Sequence, residues 1–283
     1  MRPFEYHAPA SLDDAVALVA RLDDFAVMSG GTSLVLLMRE ELVRPAHVVS
    51  LRGVPELRGI AREGDGSLRL GATTTLREAE LSPAVRTHCP ALAEAFAAVA
   101  TVRIRNQATV GGALAHADPA QDPPVMLVAL DAEVAVRGAA TARKPLDGFF
   151  VDVFATALGE RDVITAVRVP PLPPGARAAY LKFLPRTRDD YATVSVGVVA
   201  ARDRSGRIVH LRVTLGAVGP TVIRARAVED ALRGRAGDDR ELRDAAALVR
   251  DAVDPFDDAR GSAAYKREMA RVWTERALRA VLR

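Results

Sequence analysis

Two glycine-rich segments, about eighty residues apart, hold the residue types best suited to chemistry in this chain of 283 residues. The first reads Val27-Met28-Ser29-Gly30-Gly31-Thr32-Ser33-Leu34. The second runs from Asn106 through Thr109-Val110-Gly111-Gly112-Ala113 to Asp118-Pro119. Glycine lets a backbone come close to a ligand and adopt positive φ, so consecutive N–H groups can converge on a phosphate. Gly30, Gly31, Thr32 and Ser33 offer such groups plus two hydroxyls, and Thr109, Gly111 and Gly112 offer the same from the second segment. Charge-assisted hydrogen bonds of this kind contribute about 1.5–3 kcal/mol each. The pair therefore predicts a ligand with a pyrophosphate, gripped from both sides without a covalent bond. Neither segment is a Rossmann fingerprint or a Walker A loop, because both spacings are missing.

The elements around these segments can be read in part. Ser11 is placed to cap a helix whose first turn carries Asp13 and Asp14, with Leu12, Ala15, Val16, Leu18 and Val19 on its apolar face. A strand at Phe25 to Met28 feeds the first glycine turn, Leu34 to Met38 continues as an apolar stretch, and His47 to Leu51 predicts a buried strand. From Glu56 the pattern changes to short strands at Ser67–Ala72, Ala132–Val136 and Val163–Val169, with an alanine-rich helix over Pro90–Ala100 between them. Pro170-Pro171-Leu172-Pro173-Pro174-Gly175 has the composition of a linker. Beyond it the expectation is a strand at Tyr180–Leu184, long strands at Thr193–Arg202 and Ile208–Ala217 joined at Ser205-Gly206, and two closing helices. The last helix spaces Tyr265, Met269, Trp273 and Ala277 four apart, which reads as core packing. The reading is an α+β chain with one domain over 1–172, itself split at about 55/56, and a second over 176–283.

Composition narrows the function classes. Hydrophobic content of 49% with 27% charged residues is that of a soluble globular protein. Lysine and arginine (39) nearly balance aspartate and glutamate (36), with no basic block and no aromatic interleaving, so no nucleic-acid partner is expected. No apolar run reaches the length of a membrane span, and Glu5, Asp13 and Asp14 stand where a signal peptide would be hydrophobic; a cytoplasmic chain is expected. Cys89 is the only cysteine. It cannot form an internal disulfide or ligate an iron–sulfur cluster, reads as a small residue beside Pro90, and leaves the chain with no expected metal site.

Across nearly its whole length the chain resembles the FAD-binding medium subunit of the molybdenum hydroxylases, the group that contains carbon monoxide dehydrogenase and xanthine dehydrogenase. The resemblance is carried by Pro3-Phe4-Glu5-Tyr6-His7-Ala8-Pro9, by the first glycine turn, by Leu42 to Leu51, and most specifically by Val102-Arg103-Ile104-Arg105-Asn106 through Asp118-Pro119-Ala120-Gln121-Asp122-Pro123. It persists at Lys182, Arg186 and Asp190-Tyr191-Ala192. It implies a PCMH-type FAD-binding fold of two α/β subdomains followed by a smaller α+β C-terminal domain. It also implies an oxidoreductase subunit that passes electrons from iron–sulfur clusters on a partner through FAD to an external acceptor. The implied partners are a large molybdopterin subunit and a small subunit with two [2Fe–2S] clusters, in a dimer of heterotrimers. Molybdopterin and clusters would sit on those partners only. Asp122 is the carboxylate that the resemblance places on the cofactor, Asp118 a loop brace, and Lys182 and Tyr191 positions near the flavin. Val99 and Ile164 match further contact positions. Lys182 also reads as an outward strand residue and Tyr191 as core, and the two apolar positions also read as packing. His116 is assigned no acid–base role.

The chain departs from the pattern at Ala113, where an asparagine is common, at Gln107-Ala108, in place of Arg-Gly, and at Thr32, where some relatives carry glutamine or histidine. Thr32 cannot form a histidyl–flavin link. The single cysteine speaks against the hydroxybenzoyl-CoA reductase branch, whose flavin subunit carries an added cluster. Two alternatives stay open here: a self-contained flavin reductase resembling UDP-N-acetylenolpyruvoylglucosamine reductase, and a degenerate flavin-fold scaffold. The Asp118 to Asp122 run favours the hydroxylase reading over the first.

Overall fold

The structure is a computed structural model that describes residues 2–184, 186–187 and 189–283. Its first unit comprises β1 (Glu5–His7), α1 (Leu12–Arg21), β2 (Phe25–Met28), α2 (Leu34–Arg39) and β3 (His47–Ser50). Ser11 caps α1 as expected, its Oγ accepting from the Asp14 N–H at 3.1 Å, and Ala15 and Val19 turn the helix onto Val49 and Leu51. A cap of this kind contributes about 1 kcal/mol. Both outer strands pair parallel with central β3, so Glu5 and Phe25 each lie opposite His47. All three carboxyl ends therefore share one edge, where open parallel sheets bind ligands. The first glycine turn leaves from that edge and runs straight into α2, so the apolar stretch from Leu34 is helical.

The second unit begins with β4 (Ile60–Arg62) and β5 (Leu68–Gly71). A layer of six helices follows: α3 (Leu76–Leu81), α4 (Pro83–His88), α5 (Pro90–Ala97), α6 (Val102–Arg105), α7 (Val110–His116) and α8 (Asp122–Ala129). It ends with β6 (Glu133–Arg137), β7 (Thr141–Pro145), the small hairpin β8 (Phe150–Asp152) and β9 (Ala155–Thr156), and β10 (Val163–Val169). The five-stranded sheet has the order β4-β5-β10-β6-β7, antiparallel throughout. The sequence predicts a single helix here. Pro83 and Pro90 divide α3, α4 and α5, each opening a helix right after Ser82 and Cys89, because proline is accepted in a helix only in its first turn. Cys89, buried between α4 and α5, has the packing role expected of it.

The third unit is the meander β11 (Arg177–Phe183), β12 (Val194–Arg202), β13 (Ile208–Gly216) and β14 (Ile223–Arg224), with the expected turn at Ser205-Gly206, where Gly206 has φ +80°. Four helices follow, not two: α9 (Arg226–Leu232), α10 (Asp239–Ala247), α11 (Val249–Ala252) and α12 (Ala263–Leu282). The spaced stripe on α12 is core only in its later members. Ala277 is fully buried and Trp273 stacks on Phe183 at 5.2 Å, whereas Tyr265 is 44% exposed.

Helix α8 joins the second and third units. All its residues are buried, because it packs on α5 on one side and on β12 and β13 on the other. An all-round apolar helix is stable only in such a place. Gly197 on β12 admits it: a Cβ there would stand 3.2 Å from the Val125 carbonyl oxygen. The Thr214 hydroxyl donates to that oxygen at 2.7 Å and fixes the crossing. The first residue of α8 is Asp122, so this packing sets where its carboxylate points.

Candidate cofactor site

A cavity of about 720 Å³ is lined by residues of all three units. Cofactor and small-molecule sites commonly span about 300–1,000 Å³. Its first wall is the Gly30–Ser33 turn, in which Gly31 has φ +77°. The N–H groups of Gly30, Gly31, Thr32 and Ser33 meet no acceptor among the described residues. N–H groups at the start of a helix have no partner within it and are open to a ligand. Four consecutive open donors therefore form a cradle suited to an anion, and the residues present fit a pyrophosphate-bearing cofactor.

The second glycine segment differs from the expectation. It is not a loop but the start of α7: Thr109 caps the helix, accepting from Gly112 N–H at 3.2 Å, while Val110 and Gly111 donate to the carbonyls of Thr74 and Ala72. The N–H groups of Val110, Gly111 and Gly112 are thus engaged within the protein, and the open donors are concentrated on the first turn. What the second segment supplies is a rigid backing. The Thr109 hydroxyl donates to Ser29 Oγ at 2.7 Å, and a Cβ on Gly30 would stand only 2.0 Å from the Gln107 carbonyl oxygen. Gly30 is required by this contact between the two segments rather than by its own dihedral angles.

Another part of the cavity lining is built by buried ions. The Asp122 carboxylate accepts from the Tyr180 hydroxyl and, at 3.0 Å, from Lys182 Nζ. Burial pushes the Asp122 carboxyl up to about 6, against the opposing pull of the Lys182 charge and the Tyr180 hydroxyl. Burial also drives the Tyr180 phenol well above its ordinary range. Lys182 donates in addition to the Ala98 carbonyl at 2.8 Å, so two of its three ammonium hydrogens are held inside the protein. Arg105, buried on α6, donates to the carbonyls of Val99 and Ala100 at 2.7 Å and to Glu80 Oε2 at 2.9 Å. Burial alone would raise the Glu80 carboxyl, but Arg77 and Arg105 hold it below the ordinary range. Ala100 has φ +39°, a conformation that costs a residue with a Cβ about 1–2 kcal/mol. Hydrogen bonds from charged groups contribute about 1.5–3 kcal/mol each. Three of them on consecutive carbonyls outweigh that strain and fix the Ala98–Ala100 segment as cavity wall.

Of the residues singled out from sequence, Val27, Met28, Ser29, Leu34, Val99, Ala113, Ile164, Asp122, Lys182 and Tyr191 line this one cavity, as do the glycines and hydroxyls of both segments. Val110 does not: its side chain is buried in the core of the second unit. Tyr191 is not core but 51% exposed at the cavity, with Arg260 5.9 Å from its ring centre. Asp118 braces its loop as expected, accepting from the Ala120 N–H at 2.9 Å. His116 also lines the cavity, 5.0 Å from the Phe154 ring, and burial lowers its pKa, which keeps it neutral near pH 7. Sequence reasoning gave no role to Arg105, Tyr180 or Phe154. Arg105 lies inside the most specific motif, yet nothing in the spacing marks it as buried.

A three-unit α+β fold whose cavity is lined by an anion cradle and a buried acid–lysine pair suits a flavin-binding class of protein, and the chain belongs to the FAD-binding medium subunits of the molybdenum hydroxylases. Residues 2–172 match the family described as the FAD binding domain in molybdopterin dehydrogenase, and residues 179–281 match the CO dehydrogenase flavoprotein C-terminal domain. In particular, the chain is similar to the carbon monoxide dehydrogenase medium chain of Hydrogenophaga pseudoflava, at 37% identity over 98% of this chain and 96% of that one. It is 30% identical to a putative xanthine dehydrogenase FAD-binding subunit of Escherichia coli, over 79% of this chain and 77% of that one. The solved structure of the Hydrogenophaga enzyme lacking the Mo-pyranopterin moiety matches with a TM-score of 0.95 and 38% identity, over 99% and 98% of the two chains. These likenesses do not favour the self-contained reductase. No helix among the described residues is long and apolar enough to cross a membrane.

Proposed function

We propose that the chain holds one FAD non-covalently in this cavity and relays electrons from a partner's iron–sulfur clusters to an external acceptor within a molybdenum hydroxylase complex. The row of open N–H donors from Gly30 to Ser33 carries this reading. Bound FAD would supply the means of taking up and passing on electrons. The chain's residues do the rest. The Gly30–Ser33 turn receives the pyrophosphate, with the Thr32 and Ser33 hydroxyls beside it. Thr109 and Gly112 stiffen that turn from behind. The Asp122–Lys182 pair presents a fixed polar wall, and Lys182 keeps one ammonium hydrogen for the ligand. Val99 and Ile164 give the cavity apolar walls, and Tyr191 covers part of its mouth. The whole chain would act as one domain over 1–172 and another over 176–283, a division supported by the separate matches to each part.

The partners in this proposal are a large molybdopterin subunit and a small iron–sulfur subunit, in a dimer of heterotrimers in the cytoplasm. The test is an absorption spectrum of the purified chain before and after adding FAD, with chromatography of any flavin released by acid. Bound, acid-releasable FAD in one equivalent is the expected result. A folded chain that takes up no flavin from excess FAD overturns the reading.

A further inference from the structure

Away from the cavity, the first sheet brings three metal-type ligands together. Successive side chains of a strand alternate between faces, so Glu5 and His7 share one face of β1. Glu5 pairs across the sheet with His47, which adds the imidazole of β3 to the same face. His7 Nε2 lies 3.2 Å from His47 Nδ1. Glu5 Oε1 stands 3.7 Å from His7 Nε2, and Glu5 Oε2 stands 3.5 Å from His47 Nδ1. None of the three lines the cavity.

These separations have a chemical meaning. A tetrahedral zinc ion with bonds of about 2.0–2.1 Å sets its ligand atoms about 3.3–3.4 Å apart. The nitrogen pair lies close to that spacing, and the two carboxylate oxygens, one beside each imidazole, depart from it by a few tenths of an ångström. One donor atom from each of the three residues lies within 4.8 Å of the others, so a small turn of the exposed carboxylate completes the set. The two facing ring nitrogens can share a single proton at most, whereas a cation satisfies both lone pairs at once. The His7 and His47 side chains are only 14% and 27% exposed and so are held in place, while Glu5 is 66% exposed at the rim. That leaves one open side for a water. Two imidazoles with one carboxylate suit zinc and its first-row neighbours, and not calcium or magnesium, which take oxygen ligands.

We propose that Glu5, His7 and His47 form a divalent zinc-type site that clamps the N-terminal strand to the centre of its sheet. β1 is three residues long at the sheet edge and pairs with β3 alone, so few ladder hydrogen bonds hold it. A cation bridging β1 to β3 provides a further tie.

The experiment uses the full chain, stripped with chelator and titrated calorimetrically with Zn²⁺ and with Co²⁺. One equivalent binds, the Co²⁺ form shows the visible absorption of a four-coordinate ion, and Zn²⁺ raises the melting temperature. His7→Gln and His47→Gln each abolish this binding, while His210→Gln, remote from the cluster, retains it. Far-UV circular dichroism and flavin content of each variant report that the fold is kept. Glu5→Gln, at an exposed side chain whose change leaves the sheet intact, weakens binding and gives the reading if a histidine variant does not fold. Absence of Zn²⁺ binding by the wild type, or equal binding by wild type, Glu5→Gln and the folded histidine variants, overturns the proposal.

Discussion

Replacing Gly30 with alanine tests how the cradle is made. The new Cβ would lie 2.0 Å from the Gln107 carbonyl oxygen and 2.8 Å from its carbon, both backbone atoms that cannot swing aside. The closest comfortable carbon–oxygen approach is about 3.3 Å, so the two segments must part by roughly 1.3 Å. Overpacking of this kind costs about 1–3 kcal/mol of stability. The same movement takes the open N–H groups of the turn out of hydrogen-bond range of a fixed anion. Losing two of them, at about 1.5–3 kcal/mol each, weakens FAD binding by roughly two to four orders of magnitude. The assay is a titration of the flavin-free chain with FAD, followed by flavin absorbance, beside thermal melts of both proteins without cofactor. Gly64→Ala is the control, since a Cβ there meets no atom within 4 Å, and it leaves both readings unchanged. A Gly30→Ala chain that binds FAD as tightly as wild type would falsify the claim that the abutting segments shape the cradle.

Three further outcomes are expected. Asp122 has its carboxyl raised from 3.8 to about 6, so its share of stability is fully present below about pH 4 and is lost as pH rises through about 6. The stability of wild type minus that of Asp122→Asn, from melts across this range, accordingly falls by up to about 3 kcal/mol, and a flat difference contradicts the burial argument. Arg105→Met leaves the carbonyls of Val99 and Ala100 without their charged donor and Glu80 with Arg77 alone, and costs about 1–3 kcal/mol for each carbonyl left unpaired; Arg105→Lys restores only part, because an ammonium cannot reproduce the guanidinium fork. Denaturant unfolding that finds the methionine variant as stable as wild type removes that wall from the account. Thr109→Val loses both the cap of α7 and the bond to Ser29, which lowers stability by about 1–2 kcal/mol and weakens FAD binding less than Gly30→Ala does; the reverse order of affinities would refute the assignment of Thr109 to the backing.

Much of the frame was legible because it rests on local signals. Ser11 with its acidic first turn, the Phe25–Met28 strand, the Ser205-Gly206 hairpin and the valine-rich strand from Thr193 were all readable one segment at a time. The helical layer was not. Gly111 and Gly112 have poor helix propensity, and the local cap from Thr109 is reinforced by bonds from Val110 and Gly111 to Thr74 and Ala72, contacts from distant sequence, to make them the first turn of α7. Pro123 and Pro124 look like breakers until they are seen to occupy the first turn of α8, where proline is tolerated. The site was readable as a set of residues but not as a set of partnerships. Nothing in the spacing of Asp122, Tyr180 and Lys182 announces that they share one buried cluster, since that depends on how α8 crosses the third sheet. The same holds for His7 and His47, forty positions apart and joined only by strand register.

The double-sided burial of α8 governs how this molecule can be shortened. A fragment ending in the proline-rich stretch at Pro170–Gly175 would retain the glycine cradle and every strand of the first two sheets. It would also strip β12 and β13 from a helix that has no polar face to turn outward, and leave Asp122 without Tyr180 and Lys182. Such a fragment gains a sticky patch and loses a neutralised acid in the same cut. Soluble minimal versions would therefore need a polar replacement at Val125, which packs on Gly197 and Gly216, together with a neutral residue at position 122, a redesign and not a truncation.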